Sequence, residues 1–143
     1  MARRRRSRRL SIPAVPDGVL LDSGALSAAA QGDLRVRAEL SLAEQLGVRV
    51  HVSSVTLTEV LRGHPRDARV HSLLKAVNKD SVTPEIGRAA GELLGRTNKN
   101  DTADAIIAVT ADRAGSRIRL LTGDPDDLRA LTTYMAGVTV VPI

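Results

Sequence analysis

The chain has 143 residues, the length of one domain and enough to bury a core without disulfides or a structural metal. It has no cysteine, Phe or Trp and a single tyrosine, Tyr134, which excludes disulfide frameworks, cysteine-bound metals, thiol nucleophiles and the aromatic platforms of many single-strand RNA binders. The net charge of +5 resides in Arg3, Arg4, Arg5, Arg6, Arg8 and Arg9; beyond them the 16 acidic residues outnumber the bases by one, so the charge says nothing about the partners of the folded part.

Residues 1–17 read as an Arg-rich arm interrupted by Pro13 and Pro16. Two readings of the arm stand side by side: a solvated tail, and a non-specific contact to RNA phosphates. No apolar segment follows the arginines as it does in a secretory signal, and no apolar run is long enough to span a membrane. With cysteine absent as well, the expectation is a cytoplasmic protein without a membrane partner. Residues 18–143 are expected to form the folded domain.

Val19-Leu20-Leu21 is an apolar run ending at Asp22 and predicts a buried strand. Residues 23–31 suit a short Ala-rich helix. Val36, Leu40, Ala43 and Leu46 repeat at helical spacing and predict a helix over 35–46, stopped by Gly47. Val48 to Val52 alternates as a second strand. Ser53 or Ser54 caps a helix to about Arg62, ended by Gly63 and Pro65. Val70, Leu73, Leu74 and Val77 predict a helix over 67–77, and Ser81-Val82 a short strand. Pro84 opens a helix through Gly95. A strongly apolar helix follows over 102–114, closed by Gly115. Ile118–Thr122 is a buried strand, 125–133 a helix and Val138–Val141 a final strand. This alternation predicts an α/β domain with a mostly parallel sheet flanked by helices.

In such sheets ligands bind outside the carboxyl ends of the strands. Four segments bring acids to that rim: Asp22 after the first strand, Glu59 on the helix after the second, Asp101 and Asp104 at the start of the 102–114 helix, and Asp124, Asp126 and Asp127 after Ile118–Thr122. Each has a plainer reading. Asp22 suits a helix cap, Asp101 with Asp104 and Asp124 with Asp127 suit cap-and-third-position pairs, and Glu59 suits a solvated helix face. Two features favour a joint role. Ser, Thr or Asn would cap as well, yet the candidates are all Asp. Asp104 also shares a helical register with Ile107, Ala108 and Ala111, an apolar face that turns it towards the sheet. Converging carboxylates repel one another, and a hard divalent cation relieves that repulsion; ligation by oxygen alone selects Mg²⁺ or Mn²⁺.

The blocks Leu20-Leu21-Asp22-Ser23, Leu57-Thr58-Glu59-Val60, Asp101-Thr102-Ala103-Asp104-Ala105-Ile106-Ile107-Ala108 and Leu121-Thr122-Gly123-Asp124-Pro125-Asp126-Asp127-Leu128 occur in this order. The set resembles a PIN domain, in particular the VapC-type toxin of a VapBC toxin–antitoxin pair, over about residues 18–143. The resemblance implies a metal-dependent endoribonuclease that hydrolyses RNA. It places the four family acids on Asp22, Glu59, Asp104 and Asp124, with Asp22, Asp104 and Asp124 as the main metal ligands and Glu59 ligating through water or orienting the nucleophile. It makes Asp101 and Asp127 accessory acids and Thr122 a supporting hydroxyl behind them. Mg²⁺, or Mn²⁺, is the implied cofactor. A cognate antitoxin filling the acidic pocket, a homodimer, and contact with DNA only through the antitoxin are the implied assembly. The Arg-rich arm departs from the family pattern, and His51, His64 and His71 match no family role. Three other readings remain: a PIN nuclease of RNA processing, a non-catalytic RNA-binding module using the arm, and a phosphoacceptor receiver domain. The last needs an acidic pair at the first strand and a late lysine, and no lysine lies beyond Lys99.

Overall fold

The computed structural model describes residues 15–143; the arginines of the arm, Arg3 to Arg9, lie outside the described residues. The first strand, β1 (Gly18–Leu21), is wholly buried, as its continuous apolar run requires of a strand covered on both faces. Just before it, Asp17, the last residue of the arm as read from sequence, is tied into the fold. Its amide donates to the Arg117 carbonyl at 2.8 Å, and its Oδ2 accepts the Ser116 and Arg117 amides at 2.8 and 2.9 Å.

Two helices follow, α1 (Ser23–Ala30) and α2 (Leu34–Leu46). Asp33 caps α2, and Gly47, in the left-handed region at φ 66°, ends it. β2 (Arg49–Ser53) leads directly into α3 (Ser54–Val60), whose cap is Ser53. The sequence expectation of one helix over 67–77 resolves into a 3-10 turn at Pro65–Asp67 and α4 (Ala68–Leu74). The buried Asp67 carboxylate organises that turn by accepting the amides of Arg62 and Gly63, each at 2.8 Å, and of His64 at 3.3 Å.

The third strand is β3 (Asn78–Asp80), not the expected Ser81-Val82. Its Asn-Lys-Asp sequence carries no apolar signal. Tertiary bonds hold it: parallel pairing with β2, a 2.9 Å contact between His51 Nδ1 and Asp80 Oδ2, and Lys79 Nζ donating to the Leu74 carbonyl at 2.7 Å. His51 is thus a buried strand residue. α5 (Pro84–Thr97) runs one half-turn past the expected stop at Gly95, to Asn98 in the left-handed region. α6 (Thr102–Ala114), β4 (Ile118–Thr122), α7 (Pro125–Leu131) and β5 (Val138–Pro142) complete the chain.

All five strands are parallel, in the order β3-β2-β1-β4-β5. Alternation splits β1 between two cores. Val19 and Leu21 join Ala25, Leu26, Ala29, Val36, Ala43, Val70 and Leu74 on the face covered by α1, α2 and α4. Leu20 joins Ala90, Leu93, Ile107, Ala108, Leu128 and Leu131 on the face covered by α5, α6 and α7. The chain leaves β1 towards β2 and β3, then returns to its other side with β4. The strand order therefore reverses between β1 and β4, and the crevice at their carboxyl ends is where such sheets bind ligands.

Candidate active site

Asp22 follows β1 directly and caps α1, its Oδ1 accepting the Ala25 amide at 2.8 Å. The residue is only 5% exposed. Burial pushes its carboxyl above the ordinary value. The Thr122 hydroxyl and the amides of Ala25 and Gly123 oppose the rise, and the charge of Asp124 adds to it. Across the crevice, β4 ends in the fully buried Thr122, whose hydroxyl accepts the Asp124 amide at 2.8 Å. That bond shapes the turn that carries Asp124. Asp124 stands at the cap position of α7 but makes no side-chain capping bond, so its carboxylate is left to the crevice. The two turns meet through Gly24 and Gly123: a Cβ on Gly24 would lie in van der Waals contact, 3.4 Å, with the Gly123 backbone.

α6 supplies the third set of acids. Asp101 is its cap and accepts the Asp104 amide at 2.9 Å. Asp104 itself is half-buried above Ile107, Ala108 and Ala111, all of them buried, as the helical register requires. Carboxylate oxygens of Asp104, Asp124 and Asp127 lie within 4.8 Å of one another. Burial, then the charges of Asp101, Asp124, Asp22 and Asp127, push Asp104 from 3.8 up to about 7. Asp124 is raised too, by loss of water around the carboxyl and by its neighbour Asp127. Two carboxylates raised by burial and by neighbouring acids, with a third oxygen donor in reach, form an oxygen-only set that suits a hard divalent cation.

The sequence-predicted residues thus fall into three groups. Asp104 and Asp124 converge, and Asp127, an accessory acid by resemblance, converges with them, while Asp22 is coupled to both by charge. Asp101 and Thr122 support from behind, through the backbone bonds just described. Glu59 stands apart from the trio, exposed on α3, with the Ser23 hydroxyl donating to its Oε2 at 3.4 Å. α3 packs against both α1 and α6, which holds Glu59 at the mouth of the crevice.

Two participants were not legible in the sequence. Ser23 links the β1 end to Glu59, and only its place beside Asp22 hinted at a role. Lys99, in the loop before α6, brings Nζ to 3.5 Å from Asp127 Oδ1, and nothing in its local sequence marks it.

The family model of the PIN domain matches residues 19–132. No curated protein matches the chain. Among solved structures, the chain resembles VapBC2 from Rickettsia felis bound to a DNA fragment from its promoter, with TM-score 0.67 at 14% identity, covering 87% of this chain and 98% of that one. It resembles a toxin–antitoxin complex from Klebsiella pneumoniae with TM-score 0.66 at 22% identity, over 85% of this chain and 96% of the other. DNA-bound VapBC from Salmonella typhimurium gives TM-score 0.63 at 18% identity, over 87% and 97%. At these identities the likeness is one of fold. By the family match over most of its folded length, the chain belongs to the PIN domain family, whose members are nucleases.

Proposed function

We propose that this chain is a Mg²⁺- or Mn²⁺-dependent endoribonuclease and the toxin of a type II toxin–antitoxin pair. The observation that carries the reading is the convergence of Asp104, Asp124 and Asp127 beside the buried Asp22, in a set where burial and then the neighbouring carboxylates lift Asp104 to about 7. Asp22, Asp104, Asp124 and Asp127 would hold the ion. When bound, it lowers the pKa of a water and offsets charge on the phosphate.

The chain's own residues do the rest. The Ala25 amide fixes the direction of the Asp22 carboxylate, and Thr122 fixes the Asp124 turn. Lys99 holds Asp127 from outside the crevice. In this reading Glu59, exposed and hydrogen-bonded by Ser23, orients the attacking water and accepts its proton. The fold likeness to toxin–antitoxin complexes supports an antitoxin partner; to it the reading adds basic antitoxin side chains in the acidic crevice, a toxin homodimer, and DNA contacted through the antitoxin.

The test is cleavage of total RNA and of a defined oligoribonucleotide by the purified chain. Cleavage is expected with Mg²⁺ or Mn²⁺ and is expected to stop in EDTA. Cleavage undiminished by EDTA would overturn the metal-dependent mechanism. RNA binding with no cleavage under any metal would favour a binding module instead.

A further inference from the structure

From the mouth of the crevice a polar path leads to a cationic groove. Ser23 and Ser27 on α1 and Gln31, the residue that ends it in helical backbone geometry, follow at four-residue spacing, which lines the three side chains along one side. At ~1.5 Å per residue the stripe is about 12 Å long, the length of about three stacked nucleotides at ~3.4 Å each. At its far end a groove between α1 and α4 is lined by Ser27, Gln31, Arg66 and Arg69. It continues past Arg37, whose Nε lies against the Gly32 turn.

Arg37, Arg66 and Arg69 are exposed and form no ion pair among the described residues. Two acids lie nearby, Asp67 in the lining itself and Asp33, and the three arginines outnumber them. Asp67 is buried with its Oδ2 given over to three amides, and the Asp33 Oδ1 accepts the Arg35 and Val36 amides at 2.9 and 3.0 Å. The balance of the groove stays positive in a chain whose acids outnumber its bases beyond the arm.

We infer that this groove is the track of the RNA strand beside the scissile bond. Arg66, Arg69 and Arg37 bind backbone phosphates, and Ser27 and Gln31 hydrogen-bond the strand on its way to the carboxylates. The inference rests on the nuclease reading above. A nucleic-acid backbone fits better than an acidic peptide because the path is continuous with the crevice. A strand held in the crevice by its reacting phosphate carries further phosphates along α1 to the arginines.

The experiment uses the full chain and a fluorescent 12-nucleotide RNA of mixed sequence. Binding is measured in EDTA across a salt series, for the parent, for Arg69→Gln, and for the combined Arg37→Gln, Arg66→Gln and Arg69→Gln variant. Each lost single-strand phosphate contact removes ~0.7 from the salt slope. The expected fall is therefore ~0.7 for the single change and ~2 for the triple, with melting temperatures unchanged. In cleavage assays with Mn²⁺, the triple variant should show its loss mainly in KM. A salt slope and KM equal to the parent's would overturn the proposal. So would weakened binding of polyglutamate with RNA binding intact, which would assign the groove to an acidic protein. Failure of the parent to cut RNA with either metal would refute the nuclease reading, and the EDTA measurement would still read the groove.

Discussion

Asp104→Asn should stabilise the metal-free protein while removing its catalysis. Burial and four neighbouring carboxylates raise the folded pKa of Asp104 from 3.8 to about 7. At ~1.4 kcal/mol per unit this is about 4 kcal/mol at face value. Asp104 remains partly open to water, so screening reduces the figure to roughly 2 kcal/mol. The sign follows from proton linkage. Between pH 4 and 7, approximately, the folded protein holds this proton more tightly than the unfolded chain does. In EDTA, stability therefore falls as pH rises through that window, and the deficit is complete above about pH 7. The variant has no charge to desolvate at position 104. It should match the parent near pH 4 and exceed it by roughly 2 kcal/mol at pH 8, about 8 °C in melting temperature for a domain of this size. Asp22 and Asp124, also raised, leave a residual slope of the same sign in the variant. Millimolar Mg²⁺ should then raise the parent's melting temperature by mass action and the variant's much less. Thermal unfolding at pH 4, 6 and 8, with EDTA and with Mg²⁺, reads all of this. A parent whose stability is flat from pH 4 to 8, or a variant no more stable at pH 8, would refute the electrostatic account of the crevice.

Two further outcomes test the scaffold. Asp67 is held below the ordinary carboxylate value, chiefly by the Arg62 amide and also by those of Gly63 and His64, so its contribution is present above the unfolded value near 3.8 and lost as pH falls through the folded one. Asp67→Asn should therefore melt below the parent at pH 7, with the gap closing on acidification; equal melting at pH 7 would show that the turn does not depend on the charge. Gly137 packs its backbone on the Ser116 carbonyl, and its own carbonyl accepts the Ile118 amide at 2.8 Å. Gly137→Ala should lower stability by about 1–3 kcal/mol in urea denaturation, because the added Cβ must separate these segments. An unchanged midpoint would mean that the β5 entrance yields freely.

Much of this molecule is determined locally. Val19–Leu21 and Ile118–Thr122 are continuous apolar runs because parallel strands are covered on both faces, and that pattern is visible without a partner. The inward turn of Asp104 follows from its spacing to Ile107, Ala108 and Ala111, since helical register is a property of a few consecutive residues. What lay beyond the sequence depends on contacts between distant segments. The strand Asn78–Asp80 exists through its pairing with β2 and the His51–Asp80 contact, so its polar residues could not announce it. Whether an acid caps a helix or faces the crevice was equally undecidable. Asp22 does cap, Asp124 does not, and the difference arises where Thr122 takes the Asp124 amide and sets the turn. Asp127 joins Asp104 and Asp124 while Glu59 stays apart with Ser23, because α6 and α7 meet at the crevice and α3 crosses its mouth. Local patterns specify which elements form and which way their faces turn; distances between carboxylates from separate elements are set only when the two cores close on the sheet.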